Sequence, residues 1–260
     1  MSSVLFIESK DNPKIKHLRG LIEQQSYRKK QQQTILEGTH LCLAWLDASR
    51  PIQSIFTTEK ALFHPDFEHI QAQYKGYIFV ISESLYKDLS TLGTSLSCLA
   101  VIDLPRSSHA IDFEADTLIL DGIQDPGNVG TLLRSAAAAN IRQIVCTAGT
   151  ASLWSPRVLR AGMGAHFSLH IYEQVELERI LEKFRIPVFA TSSHEATSLY
   201  EQDLVEPCVW ILGNEGQGVS DFALTHAKAI TIPQPGGQES LNVAVAGSIC
   251  LFEMVRQRFV

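Results

Sequence analysis

Three stretches of this sequence place groups capable of chemistry where the chain would leave a strand. The first is QDPGNVGTLLR. Asn128 can cap a helix there, and Gly130 and Arg134, four residues apart, share one face of it. Glycine there leaves room beside a long guanidinium; the plain alternative is a capped helix with a surface arginine. The second is GNEGQG, from Gly213 to Gly218. Glycine turns after strands cradle ligands, but this one matches neither a Walker loop nor G-x-G-x-x-G, and no lysine follows it. Its carboxylate, Glu215, repels phosphate, so a nucleoside or a cation suits it better; a flexible turn is the alternative. The third is IPQPGGQESLN, in which Ile232 and Pro233 end a strand and Pro-Gly-Gly turns the chain. Ser240 is expected to cap the apolar helix that follows. Asn242 then falls in the first turn, its carboxamide free to meet neighbouring strand ends. Ala244, Ala246, Gly247 and Ser248 are small, so something packs closely on that helix.

Regular elements must hold these ends together. TLILDGI, RQIVCTA, PVFATSS, CVWILGN and AITIPQ read as buried strands. Between them GNVGTLLRSAAAAN, SPRVLRAGMGA, ELERILEKF and VSDFALTHA read as helices, and SLNVAVAGSICLFEMVRQRF as a long last one. The pattern predicts a parallel sheet covered on both faces, with ligands at the carboxyl ends of its strands. The first third is a smaller α/β set. Pro13 opens the amphipathic helix PKIKHLRGLIEQQ, and SYRKKQQQ follows, polar and basic. TILEG, IQSIFTT, YIFVISE and LSCLAVIDL read as strands, THLCLAWLDAS as a helix with Thr39 as its cap, and EHIQAQYKG as another helix. LPRSSHAIDFEAD reads as a linker. Two domains are expected, 1–105 and 113–260.

At 260 residues, 45% hydrophobic and 19% charged, the chain has the composition of a soluble globular protein with room for a large core. No apolar run is long enough for a bilayer and the start lacks a basic-then-apolar signal, so the cytoplasm is expected. The five cysteines are scattered through apolar runs, without C-x-x-C or H-E-x-x-H, which predicts buried thiols and no metal site. A net charge of −6 speaks mildly against nucleic acid. The distribution speaks the other way: Lys10, Lys14, Lys16, Arg19, Arg28, Lys29 and Lys30 crowd the first thirty residues against Glu8, Asp11 and Glu23.

The three strand ends together, in this order, resemble the SpoU-type (TrmH-like) RNA ribose 2′-O-methyltransferases of the SPOUT superfamily. The resemblance matches Asn128, Gly130 and Arg134 to the family's first motif and Gly213–Gly218 to its second. Ile232-Pro233 with Ser240–Val243 matches the third. SYRKKQQQTILEGTHLCLAWL resembles the family's substrate-binding domain, a fold shared with some ribosomal proteins. The resemblance implies a carboxyl-terminal SPOUT domain with a parallel sheet and trefoil knot, behind a small amino-terminal α/β RNA-binding domain. It implies S-adenosylmethionine as methyl donor, no metal, and a homodimer. Gly213, Ile232 and Leu241 would hold the cofactor through backbone groups, with Asn242 and Thr191 beside it. Arg134, Asn128, Glu215, Ser240 and Asn242 would form the catalytic set. Lys14, Lys16, Arg28, Lys29 and Lys30 would contact RNA, ribosomal RNA ahead of transfer RNA. Two positions depart from the family pattern: Ala244 stands where a serine is frequent, and Ser168 where a basic or aromatic residue is usual. A non-catalytic RNA-binding protein with a degenerate knotted domain is the rival reading, and the intact motifs oppose it. An NAD enzyme is opposed by the missing G-x-G-x-x-G.

Overall fold

The computed structural model describes residues 3–90, 97–105, 109–192, 197–237 and 240–259. Leu96 of the expected LSCLAVIDL strand, residues 106–108 of the linker, Ser193 of PVFATSS, and Gln238 and Glu239 of the third motif lie outside the described residues. The chain forms two compact units, one of Met1–Arg106 with Trp154–Phe167, the other of Ser107–Leu153 with Ser168–Val260.

The first unit is a five-stranded sheet of β1 (Ser3–Ile7), β2 (Gln33–Glu37), β3 (Ser54–Thr58), β4 (Tyr77–Ile81) and β5 (Cys98–Asp103), in the order β1-β4-β3-β5-β2. β5 runs antiparallel to both its neighbours; the other pairs are parallel. Alternation along the strands sends Phe56, Phe79 and Ile81 to one face and Ile55, Ile78 and Val80 to the other. The first face is covered by Ile15, Leu18 and Leu21 of α1 (Pro13–Glu23) and Leu85 and Leu89 of a later helix. SYRKKQQQ, expected only as a polar stretch, contains a short helix, α2 (Gln25–Gln31). The other face is covered by α3 (Thr39–Asp47), α4 (Glu59–Leu62) and α5 (Pro65–Gln73). The later helix on the first face is α6 (Glu83–Leu89). Thr39 does not cap α3: it is buried, and Gly38, at φ +99, takes the cap position. SPRVLRAGMGA was expected within 113–260. Its helix packs in the first unit instead, Leu159 among the core side chains beside α3 and α5.

The second unit is a six-stranded parallel sheet, as the run of buried strands predicts. Its strands are β6 (Thr117–Asp121), β7 (Gln143–Cys146), β8 (His170–Tyr172), β9 (Val188–Thr191), β10 (Val209–Gly213) and β11 (Lys228–Ile230), in the order β11-β9-β10-β6-β7-β8. The chain starts in the middle at β6, runs outward to β8, and returns on the opposite side. The reversal between β6 and β10 puts Asp121 and Gly213, paired in register, at the switch point of the sheet. β8, three residues long and only partly buried, is too short for a pattern to reveal.

One face is covered by α7 (Pro126–Ala138) and the last helix. The helix in SPRVLRAGMGA is α8 (Pro156–Gly162), the short helix after Ser220 is α9 (Asp221–His226), and the last is α10 (Val243–Arg258). The other face carries α9 and the ELERILEKF stretch. That stretch forms two 3₁₀ turns rather than the expected helix; Leu177, Ile180, Leu181 and Phe184 pack on the sheet face, and Ile180, between the turns, has φ −124. The far end of α10 is pinned to the start of β6: Arg258 grips Asp116 with both terminal nitrogens, at 2.6 and 3.0 Å. All five cysteines are free and buried.

Candidate functional site

The carboxyl ends of β9, β10 and β11 open onto a cleft of about 610 Å³ within the second unit. Thr191, Gly213, Ile232, Ser240, Leu241, Asn242 and Glu215, all singled out from sequence, line it. Among the described residues no lysine or arginine lines it, and Glu215 is the one charged side chain that does. Asn128 adjoins the lining through hydrogen bonds. Arg134 lies outside it, exposed on α7, with no hydrogen bond or ion pair among the described residues.

Two local expectations about caps do not hold. α7 is capped by Asp125, whose Oδ1 accepts from the Asn128 backbone N–H at 2.8 Å. Pro126 then takes the first helical position. α10 is capped by Asn242 rather than Ser240: Asn242 Oδ1 accepts from the backbone N–H groups of Ala244 and Val245 at 2.9 and 3.2 Å. Each helix therefore starts away from the residue chosen by sequence: two cap-forming side chains stand within a few positions, and Asp125, at φ −77 and ψ 120, and Asn242, at φ −53 and ψ 136, hold the cap positions.

These caps free side chains to bridge loops. Asn242 Nδ2 donates to Asn128 Oδ1 at 3.0 Å, and Asn128 Nδ2 donates to Glu215 Oε1 at 3.0 Å. Glu215 also accepts from the backbone N–H groups of Gln124 and Asp125 at 3.2 and 3.3 Å. Its charge thus sits against the amino end of α7, where a helix favours an anion. Burial raises the Glu215 carboxyl, and the bonds from Asn128 and from backbone N–H groups outweigh it, leaving the group below its ordinary value.

The GNEGQG turn has its own frame. Asn214 Nδ2 donates to Gly122 O at 2.8 Å, while Asn214 Oδ1 accepts from the N–H groups of Gly216 and Gln217 at 2.8 and 3.1 Å. The backbones of Asn214 and Gly218 exchange two hydrogen bonds at 2.9 and 2.8 Å, closing the turn on itself. Gly213 is required by contact, since a Cβ there would stand 2.1 Å from the backbone of Gly218 and Val219. At Gly247 of α10 a Cβ would meet the side-chain ends of Leu212 and Leu132, at 2.4 and 2.5 Å, a close approach that those side chains can ease. The small residues in α10 thus answer a close approach of that helix to β10 and α7. Ser248, one of them, is bonded to Ser135 of α7 at 2.7 Å and to Ala244 O at 2.7 Å. The backbone of Ala244, where a serine was noted as frequent, thereby has its partners through Asn242 and Ser248.

Sequence reasoning missed the roles of Asn214, Asp125 and Gln234. The first two carry the signal of an Asn or Asp at a turn. Gln234 carries none: its Oε1 is buried, meets no donor among the described residues, and belongs to the cleft lining.

In the first unit the basic residues divide. Lys29 and Lys30 are exposed at the end of α2. Lys14 lies over the Phe79 ring at 4.7 Å and Lys16 pairs with Asp11 at 3.1 Å. Arg28 differs from what its charge implied. It is buried, and its guanidinium donates to the carbonyls of Leu21 and Ile22 at 2.9 and 3.2 Å, satisfying the open end of α1. No group of three or more metal-ligating side chains and no helix long and apolar enough to cross a membrane occurs among the described residues.

The SpoU rRNA Methylase family matches residues 116–252, the stretch that holds every bond of this site, and the MRM3-like substrate binding domain matches residues 12–100. The chain belongs to the SpoU rRNA methylase family. It is similar, at 35% identity over 99% of its length and 96% of the relative's, to an uncharacterized tRNA/rRNA methyltransferase of Synechocystis sp.. It is 29% identical to the 23S rRNA (guanosine(2553)-2′-O)-methyltransferase RlmP of Bacillus subtilis, over 95% of this chain and 98% of that one. An AdoMet-bound rRNA methyltransferase from Sinorhizobium meliloti shares the architecture, with a TM-score of 0.84, 25% identity and 99% of each chain covered.

Proposed function

We propose that this member of the family transfers a methyl group from S-adenosylmethionine to a ribose 2′-hydroxyl of structured RNA. The observation that carries this reading is the joining of three loops, through Asn242, Asn128 and Glu215, at a cleft that no lysine or arginine lines among the described residues. The described lining offers no basic side chain to neutralise a polyphosphate. S-Adenosylmethionine fits: it is uncharged on its nucleoside, cationic at sulfur, and matched by Ile230, Ile232 and Leu241 for a flat base and Glu215 for the positive end. When bound it supplies a methyl group already activated by the sulfonium.

The protein's part is then alignment and charge. Glu215, ionised and bonded by Gln124, Asp125 and Asn128, clamps loops together and is a poor base. Arg134, acting as a guanidinium cation and not as a base, steadies a developing 2′-oxyanion or grips a phosphate. Water or that phosphate takes the hydroxyl proton. Ser240, exposed at the cleft, is placed to hydrogen-bond the ribose.

The same reading makes residues 1–105 the RNA-selecting part and 113–260 the catalytic one. The relative named for 23S rRNA supports ribosomal RNA ahead of transfer RNA. A homodimer is supported by Val245, Phe252 and Phe259, exposed along α10 at seven-residue spacing. It would let Arg134, outside its own chain's cleft, serve a partner's. The trefoil knot implied by the resemblance belongs to the same reading, supported by the family match over residues 116–252.

Methyl transfer to RNA by Arg134→Ala, measured beside its cofactor affinity by calorimetry, tests the reading. Activity should fall ~100- to 1,000-fold with affinity kept. A parent rate for Arg134→Ala, or no binding of S-adenosylmethionine by the parent, sinks it.

A further inference from the structure

Buried side-chain acceptors almost always have a donor, since leaving one unmet is costly. Gln234 Oε1 is buried, has none among the described residues, and stands in the wall of the cleft. Its setting narrows what the missing donor is. Ile230 ends β11, Ile232 and Gln234 follow it, and all three line the cleft, two aliphatic side chains and then a carboxamide. A flat heterocycle lies on the aliphatic pair and brings its polar edge to the carboxamide. Gln offers an acceptor and a donor side by side, the pairing that fits the edge of adenine, whose exocyclic amine donates and whose ring nitrogen accepts. The carboxamide turns on a soft terminal torsion, so presenting Oε1 to the cleft requires no change of the backbone.

We infer that Gln234 is a specificity-determining residue of this chain: its carboxamide reads the 6-amino group of the purine bound in the cleft. The inference rests on the cleft being the nucleoside site of the proposed function. A site built to meet a donor should reject a ligand lacking it, because the acceptor then stays unmet. A cleft lined only by aliphatic groups at that point would accept either.

Calorimetric titration of the full-length protein with S-adenosylhomocysteine, and with its analogue bearing hydrogen in place of the 6-amino group, measures this without catalysis. The parent should favour the amino compound by roughly 10- to 100-fold. Gln234→Leu should bind the two within about 3-fold, by losing affinity for the amino compound alone, since a true pair contact appears as coupling between the two changes. Gln234→Glu keeps an acceptor and should keep the preference, which separates lost recognition from a disturbed loop should Gln234→Leu melt early. An undiminished preference in Gln234→Leu, or none in the parent, overturns the inference and leaves the cleft assignment standing. Failure of the parent to bind either compound overturns the assignment itself.

Discussion

The three glycines of GNEGQG should fail in three different ways when each receives one methyl group. At Gly213 the added Cβ would lie 2.1 Å from Gly218 C and from Val219 N. To reach ordinary contact at 3.4 Å the two backbone segments must part by roughly 1.3 Å. Neither is a side chain that can rotate away. The parting also breaks the paired bonds between Asn214 and Gly218. Overpacking typically costs about 1–3 kcal/mol and each lost hydrogen bond about 0.5–1.5, so Gly213→Ala should cost ~3–5 kcal/mol. Gly218 has open space around it but sits at φ +75, so Gly218→Ala should cost only the left-handed penalty, ~1–2 kcal/mol. Gly216 has neither constraint, its nearest neighbour being Asn214 Oδ1 at 3.5 Å, and Gly216→Ala should stay within ~0.5 kcal/mol. Differential scanning calorimetry of the four proteins reads the order directly. At about 2–4 °C per kcal/mol, Gly213→Ala should melt roughly 10 °C early in the transition of the unit that carries the cleft. Gly213→Ala melting with the parent, or Gly216→Ala falling as far, would refute the close backbone contact of Gly213 with Gly218 and Val219.

Glu215 is held below its ordinary value, so the stability it contributes is complete above the unfolded glutamate range and is lost as pH falls through its lowered folded value. Glu215→Gln should therefore flatten the acid limb of a Tm-against-pH curve, and an acid limb parallel to the parent's would refute the clamp. Arg28→Ala should cost ~1–3 kcal/mol by orphaning the end of α1 while leaving the salt dependence of RNA binding unchanged. Lys29→Ala and Lys30→Ala should do the reverse, each lowering the salt slope by about one at unchanged Tm; a reduced slope for Arg28→Ala would put its guanidinium on RNA after all.

What the sequence made legible, and what it hid, follows the range of the interactions involved. The parallel sheet was legible because its strands are short apolar runs set off by turns, and each residue reports its own burial. The small-residue run of α10 announced a close neighbour but could not say that Leu212 and Leu132 are that neighbour. ELERILEKF has the apolar spacing of a helix, and that spacing carries no sign of the break at Ile180 that leaves two 3₁₀ turns. The caps were misplaced because QDPGN and SLN each offer two suitable side chains, and a cap preference cannot choose between Asp125 and Asn128, or Ser240 and Asn242. Arg28 was read by its charge, when the carbonyls that claim it lie in the preceding helix.

The displaced cap at Asn242 changes how the chemistry of the site must be divided. A carboxamide oxygen has two lone pairs, and those of Asn242 are taken by Ala244 and Val245. Its nitrogen holds Asn128, whose own nitrogen holds Glu215. These bonds span residues 87 and 114 positions apart in sequence, and they fasten three loops that would otherwise move independently. Side chains committed in this way position the loops around a ligand; they have little left to offer a reacting hydroxyl. The groups that remain are Ser240 and Arg134, for which no hydrogen bond is found among the described residues. On the proposed reading, the residues that hold the site are therefore separable from those that act in it. Loss of Asn128 or Asn242 should first loosen cofactor binding, whereas loss of Arg134 should spare binding and stop transfer. The opposite pattern, with Asn242→Ala binding S-adenosylmethionine as the parent does, would return Asn242 to the reacting centre.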